Sequence, residues 1–217
     1  MDWLSVRHRK ISRAGATQHG RDAVPDAIRY ACRPQAASQV GTQHMPDAAP
    51  GEVSAVCEFS REHENAILAN GRNKRVADIL IVSLPRDTSP KQRFEICTRI
   101  VDSVTNGRSP ALFGIHDKSG NDTENPHAHF VIFDRDVDTG KRVFGFSSRG
   151  STKRLREAVA GAINGWYLDE NRDSYVDPRS FKERGLDREP TIHEGPGARR
   201  IVAAGLEPES RIRVVGK

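Results

Sequence analysis

Residues 127–134 (HAHFVIFD) constrain the fold more than any other segment, because their length and composition predict a buried β-strand. Successive side chains on a strand point to opposite faces of the sheet, so His127 and His129 point the same way. Ala128, Phe130 and Ile132 then point to the other face, toward a core covered by helices. The segment thus predicts a sheet with an apolar core on one face and two histidines on the other.

A third histidine, His116, ends a strand predicted over residues 111–116 (ALFGIH) that would lie beside the first. The intervening residues 117–126 are polar and contain a glycine and a proline, so the chain can turn back there. Three converging imidazoles make a metal site with open coordination positions. With no thiolate in reach, Mg²⁺ or Mn²⁺ serving a phosphate substrate is predicted, although imidazole also suits Zn²⁺. A single HxH pair on a strand often has only a structural role. The third histidine, His116, makes metal binding the favoured interpretation of this pair.

The rest of the chain predicts an α+β domain. Further strands are expected over residues 3–9, 76–84 and 142–147. Helices are expected over 23–33 and 58–70, from the Ser89 cap and Pro90 to Asn106, and from Ser151 onward. Residues 12–22 and 34–55 are predicted to be loops. Long connections and a hairpin favour an antiparallel sheet with helices packed on one face and the metal site on the other.

Two parts are expected along the chain: a catalytic domain over residues 1–170, and an irregular C-terminal tail over 171–217 that packs on that domain or extends from it. The 217 residues are enough for one sizeable core. Three cysteines without CxxC spacing favour reduced thiols in a cytoplasm. No apolar run approaches the roughly 18 residues that cross a membrane, and the charged N-terminus is unlike a signal peptide.

The net charge of +5 and a pI near 9.3 favour a polyanionic partner, because each phosphate that is neutralised releases counterions. Many globular proteins are as basic as this one without binding nucleic acid. Charge therefore suggests a nucleic-acid partner but does not establish one.

Several segments resemble one known family. NPHAHF, preceded by FGIHDK, is similar to the histidine signature of the MobA/MobL conjugative relaxases, which are HUH endonucleases. VSLPRDTSPKQR and SRGSTKRLREAVAGAIN resemble the family's strand-to-helix segment and its helix after the histidines. VDPRSFKERGLDREPTIHEGPGA resembles its C-terminal segment, and ISRAGATQHGRDAVPDAIRYACR the stretch that leads to its nucleophilic tyrosine. The resemblance covers most of residues 5–205.

The resemblance implies an HUH relaxase fold with a ferredoxin- or RRM-like core, and a nicking and rejoining reaction at an origin of transfer. A tyrosine attacks one phosphodiester, a 5′-phosphotyrosine forms and a 3′-OH is released, while the three histidines hold a divalent metal, Mg or Mn. Tyr30 matches the family's tyrosine, and Arg29 and Arg33 beside it could bind phosphate. Asp117 is the predicted supporting acid because it adjoins His116, ahead of Glu64 and Asp78.

The implied partner is single-stranded or locally melted DNA, in the cytoplasm of a bacterium. Accessory mobilisation proteins and a type IV secretion coupling protein are further candidate partners, and no membrane is expected. The residues predicted to contact DNA are Arg7, Arg9, Lys10, Arg13, Arg33, Lys153 and Arg154. Charge runs of this kind are more often solvated faces of helices.

Three alternatives share part of this pattern. A rolling-circle replication initiator has the same histidines but a later tyrosine, which would be Tyr167 or Tyr175 here. A non-catalytic DNA-binding mobilisation accessory protein with a decayed site is the second. A histidine-triad nucleotide hydrolase is disfavoured because Val131 stands where a third alternating histidine would be needed.

Overall fold

The computed structural model describes residues 4–12, 22–45, 52–69, 75–118, 120–136, 138–143, 150–180, 183–186 and 196–206. Its strands are β1 (Val6–Ser12), β2 (Ala37–Gln43), β3 (Arg75–Ser83), β4 (Ala111–His116) and β5 (His127–Ile132). Its helices are α1 (Ala23–Ala31), α2 (Val53–Ala69), α3 (Pro90–Thr105), α4 (Asn121–Glu124), α5 (Ser151–Asp169) and α6 (Pro196–Ala203).

The strands form one five-stranded sheet in the order β1-β3-β5-β4-β2, and every neighbouring pair is antiparallel. The three most buried strands, β3, β4 and β5, lie inside the sheet, as their β-branched and aromatic residues require. Strand β1, with four exposed residues in a row, lies at one edge. The predicted antiparallel α+β class is confirmed.

One face of the sheet is covered by α3 and α5. Phe130 of β5, Ile100 of α3 and Trp166 of α5 are buried in the core between them. Helix α3 begins as predicted: Ser89 caps it, Pro90 is its first residue, and Asn106 ends it in the left-handed conformation at φ 53°. The helix predicted from Ser151 onward is α5, and Leu155, Val159, Ile163 and Trp166 are among the residues of its buried side.

Helices also cover the other face, which corrects the prediction that they occupy one face alone. Ile28 of α1 and Val56 of α2 pack with Val131 and Phe133 in a second core. The helices over 23–33 and 58–70 were expected, but the short α1 gave no sign of which face it covers. The histidines therefore share their face with α1 and α2.

Residues 37–43 (ASQVGTQ) form strand β2, where the sequence predicted a loop over 34–55. Their polar and glycine-containing composition is unlike that of a strand, and pairing with β4 along one edge supplies the order that local propensity lacks. Of the strand predicted over 142–147, the structure has one isolated bridge between Arg142 and Arg135. Residues 144–147 lie outside the described part, as does most of the loop predicted over 12–22.

The chain divides into two compact units, Met1–Pro178 and Arg179–Lys217. The first ends eight residues beyond the predicted domain boundary at 170. The second contains the eight-residue helix α6 within the tail predicted to be irregular. Whether that tail packs on the domain stays a prediction. Among the described residues, no helix is long and apolar enough to cross a membrane.

The capping box of α3 offers a test of the fold. The Ser89 hydroxyl accepts a hydrogen bond from the Gln92 backbone at 3.3 Å, and the Gln92 side chain accepts one from the Ser89 N–H at 2.9 Å. We expect Ser89→Ala to lower the free energy of unfolding by about 1 kcal/mol in urea denaturation. Ser151→Ala is the matched control, because the start of α5 has no side-chain cap. An equal loss in both variants would contradict the capping role.

Candidate metal and nucleophile site

The three histidines meet because of the register between β4 and β5. His116 pairs directly with His127, and Gly114 pairs with His129. Since His127 and His129 are two residues apart on one strand, their rings point to the same face. One nitrogen from each of the three rings lies within 4.8 Å of the others. The structure thus brings together the three predicted ligands.

Backbone carbonyls orient two of the rings. His116 Nε2 lies 2.9 Å from the carbonyl oxygen of Ala31, and His127 Nδ1 lies 2.9 Å from that of Asn125. A nitrogen that faces a carbonyl must carry the proton, so in a neutral ring the lone pair would lie on His116 Nδ1 and on His127 Nε2. His116 Nδ1 is buried and has no hydrogen-bond partner.

Burial favours the neutral form of the two inner rings. It lowers the pKa of His116, an effect that the hydrogen bond to Ala31 partly offsets. Burial first, and then the neighbouring His116 and His127, lower the pKa of His129 to about 3. Neutral imidazole is the form that binds metal ions. Three imidazoles with a buried free lone pair therefore fit a divalent cation.

Tyr30 of α1 stands beside the histidines. Its ring centroid is 5.1 Å from that of His129 and 5.9 Å from that of His116, and 49% of the residue is exposed. The Arg33 guanidinium carbon lies 4.1 Å from the centre of the tyrosine ring, a cation–π contact that holds both side chains. A phenol in this position is open to a ligand and next to the candidate metal site.

The other two tyrosines are placed differently. Tyr167 belongs to α5 and is fully buried in the core between that helix and the sheet. Tyr175 is exposed and follows α5, whose buried side packs against the face of the sheet away from the histidines. Of the three tyrosines, Tyr30 is the one in ring contact with the histidines among the described residues.

A groove of about 670 Å³ runs from this site along the sheet. Its floor is apolar and includes Ile79 and Ile81 of β3, and Tyr30 and His129 stand in its wall. Arg7 and Arg9 of β1 line it too, because they alternate onto the same face of the sheet. The groove thus joins two predicted phosphate-binding cations to the candidate nucleophile.

The remaining predicted cations lie elsewhere. Lys10 is exposed and, one residue beyond Arg9, alternates to the opposite face. Lys153 and Arg154 are exposed on the first turn of α5, across the sheet from the histidines. Arg13 lies outside the described residues. Arg29 pairs with Asp26 at 2.9 Å.

Asp117 does not join the site, which corrects its predicted role of orienting a histidine. As the residue after His116 it points to the other face, where its carboxylate accepts a hydrogen bond from Arg93 of α3 at 2.7 Å. The other two candidates are buried: Glu64 lies on α2, and Asp78 is bonded to Arg75 and His8. The carbonyls of Ala31 and Asn125 take the orienting role. A backbone oxygen carries no sequence signal, so sequence reasoning missed both.

The family relationship agrees with this geometry. Residues 30–161 match the model of the MobA/VirD2-like relaxase nuclease domain, and residues 138–203 match that of the MobA/MobL family. The first match spans more than half of the chain and includes Tyr30 and the three histidines. This α+β sheet with a histidine cluster is thus of the relaxase class. The chain belongs to the relaxases with a MobA/VirD2-like nuclease domain.

Two curated relatives carry the same relationship. A probable mobilization protein MobA of Bifidobacterium longum is 29% identical over 215 residues, covering 77% of this chain and 36% of the relative. The conjugal transfer protein TraA of Agrobacterium fabrum is 28% identical over 164 residues, covering 62% of this chain and 14% of the relative. The chain therefore spans about a third or less of the length of these relatives.

Solved structures share the fold at low sequence identity. A protein solved in work on vancomycin resistance transfer in Staphylococcus aureus superposes with a TM-score of 0.60 at 15% identity, covering 82% of this chain and all of the other. The relaxase domain of MobM, solved with Mn and pMV158 oriT DNA, has a TM-score of 0.51 at 13% identity over 94% of this chain and 99% of its own. The relaxase TrwC with oriT DNA has a TM-score of 0.50 at 12% identity, over 94% of this chain and 93% of its own.

Metal binding is testable on the protein alone. We expect titration calorimetry to detect one Mn²⁺ per chain in the wild type and none in His129→Ala, which removes a buried imidazole from the cluster. His44→Ala is the control, because His44 pairs with Asp102 at 3.1 Å outside the cluster. Retention of Mn²⁺ by His129→Ala would exclude this set of ligands.

Proposed function

We propose that this chain is the nuclease part of a metal-dependent relaxase that cleaves and rejoins one DNA strand at an origin of transfer. The observation that carries the proposal is the half-exposed ring of Tyr30, 5.1 Å from the ring of His129 at the head of a groove lined by arginines. A nucleophile, a metal-binding cluster and a cationic groove are the parts that a phosphodiester transfer needs.

His116, His127 and His129 would hold the divalent cation, Mg²⁺ or Mn²⁺. When bound there, the cation acts as a Lewis acid that offsets the charge growing on the phosphoryl oxygens. The rings of His116 and His129 lie next to the ring of Tyr30. A phosphate bound on that side of the histidine cluster would therefore lie beside the phenol. Arg33, stacked on the tyrosine ring, holds that ring and adds positive charge near the phosphate.

In the reaction, Tyr30 Oη loses its proton and attacks the phosphorus of the scissile phosphate. A bond forms between Oη and phosphorus while the bond from phosphorus to the 3′ oxygen breaks. The 3′ oxygen takes up a proton and leaves as a hydroxyl, and the 5′ end stays on the tyrosine. Since a phosphodiester is exchanged for a phosphodiester, the same 3′ hydroxyl can reverse the step and rejoin the strand.

The groove favours a single strand as substrate. Arg7 and Arg9 supply phosphate contacts along one wall, and the apolar floor can accept unstacked bases. A paired duplex would hold the scissile phosphate away from rings that are largely buried. Accessory mobilisation proteins and a secretion coupling protein stay predictions.

The rolling-circle alternative requires Tyr167 or Tyr175 as nucleophile. Burial of Tyr167 and the position of Tyr175 after α5 both favour Tyr30 instead. The accessory-protein alternative is separated by chemistry, since it binds DNA without forming an adduct.

The nucleophile is tested by trapping the covalent adduct. The protein is mixed with circular single-stranded DNA, or with a randomised oligonucleotide pool, in Mn²⁺ and run on a denaturing gel. We expect a metal-dependent shifted band that disappears in Tyr30→Phe, which lacks the attacking oxygen, and persists in Tyr175→Phe. An adduct that survives in Tyr30→Phe would transfer the role to another tyrosine. DNA binding without an adduct in the wild type, even on cognate origin DNA, would favour the accessory protein.

The DNA path is tested by removing two positive charges from one face of the sheet and, in a second variant, two positive charges from the other face. Replacing Arg7 and Arg9 by Gln should weaken binding of a single-stranded oligonucleotide and reduce the slope of log K against log salt by about 1.4, for two lost phosphate contacts. The matched double substitution of Lys153 and Arg154 by Gln should leave the slope unchanged, because α5 lies across the sheet. An equal effect of both doubles would argue against the groove as the DNA path.

A further inference from the structure

Gly114 lies under the C-terminal end of α1, in the middle of the site. It belongs to β4, two residues before His116 on the same face, and it pairs with His129. A β-carbon added at Gly114 would overlap the carbonyl oxygen of Ala31 and lie 2.7 Å from the carbonyl carbon. Both atoms are backbone, so they cannot rotate away as a flexible side chain would. Any residue except glycine there would push α1 off the sheet.

The contact matters because of what Ala31 does. Its carbonyl is the group that fixes the proton of His116 on Nε2 and leaves Nδ1 free. The preceding residue is Tyr30. One turn of α1 therefore carries both the candidate nucleophile and the group that orients a candidate metal ligand. A shift of that turn would alter both together.

We propose that Gly114 is a positioning residue for the relaxase reaction. Its missing side chain lets α1 rest on β4, so that the Ala31 carbonyl selects the tautomer of His116 while Tyr30 is held beside the same ring. The nucleophile and the metal ligand are thereby linked through one backbone hydrogen bond. The inference rests on the proposed roles of Tyr30 and the histidines, and it adds a physical coupling between them.

The experiment measures the tautomer of His116 in metal-free protein by ¹⁵N-imidazole NMR, and Mn²⁺ affinity by calorimetry. In the wild type we expect His116 to carry its proton on Nε2. In Gly114→Ala we expect that preference to be lost and the Mn²⁺ affinity to fall about 10- to 100-fold, as for loss of other groups that orient a metal ligand. Oligonucleotide binding through Arg7 and Arg9 should be retained, which reports that the sheet is intact.

Gly41→Ala is the matched control. Gly41 lies on the neighbouring strand β2, and a β-carbon there would crowd the ring of Phe113, on the other face of the sheet. We expect this variant to lose stability but to keep the wild-type tautomer and Mn²⁺ affinity. It separates crowding of the sheet from displacement of α1.

Three results would overturn the inference: a wild-type His116 protonated on Nδ1, a folded Gly114→Ala protein with unchanged tautomer and Mn²⁺ affinity, or an equal loss of Mn²⁺ affinity in Gly41→Ala. The wild-type measurement needs no variant. It therefore tests whether His116 Nε2 donates to the Ala31 carbonyl even if Gly114→Ala fails to fold. It also needs neither metal nor DNA. A wild-type protein that forms no DNA adduct would therefore count against the proposed function while leaving the tautomer result intact.

Discussion

The pairing of β4 with β5 is the constraint on which the rest of the site depends. Their register sets His116 opposite His127, and the two-residue repeat of β5 adds His129 to the same face. A slip of one residue would turn His127 and His129 toward α3 and α5 and turn Phe130 to the face now held by the histidines. The packing of Ala128, Phe130 and Ile132 against α3 and α5 therefore fixes the register. Packing of the apolar side chains on one face of β5 therefore determines where the histidines on its other face lie.

Burial of the imidazoles of His116 and His129 is energetically unfavourable for the metal-free fold. Burying a polar group without a hydrogen-bond partner destabilises the folded state, and His116 Nδ1 is buried without one. Most buried polar side-chain atoms in proteins have a partner, which can be another protein group, a water molecule or an ion. Here the unpaired nitrogen belongs to a ring that is clustered with two further histidines, so a cation bound to the cluster would stabilise the domain. The same arrangement that weakens the metal-free domain prepares it for metal.

Sequence patterns were most informative where the local signal and the tertiary structure agree. Strand β5 and the capped helix α3 follow from side-chain period and from the Ser89–Pro90 start, and the histidine cluster follows from the strands. Strand β2 was missed because its order comes from pairing with β4 rather than from its own composition. Asp117 was misjudged because sequence adjacency to His116 places it on the opposite face. The position of α1 depends on Gly114, whose role is visible only once the helix and the sheet are seen in contact.

Strand β1 shows how the edge of the sheet and the groove depend on the same residues. An edge strand exposes backbone groups that can pair with other chains, and charged side chains discourage such pairing. In β1 the alternating Arg7 and Arg9 point to the groove while Lys10 points to the other face. Because Arg7 pairs with Ile81 and Arg9 with Ile79, the guanidinium groups are carried next to the apolar floor that leads to His129. Charges of the kind that discourage edge pairing are thus held where a phosphate backbone entering the proposed site would meet them.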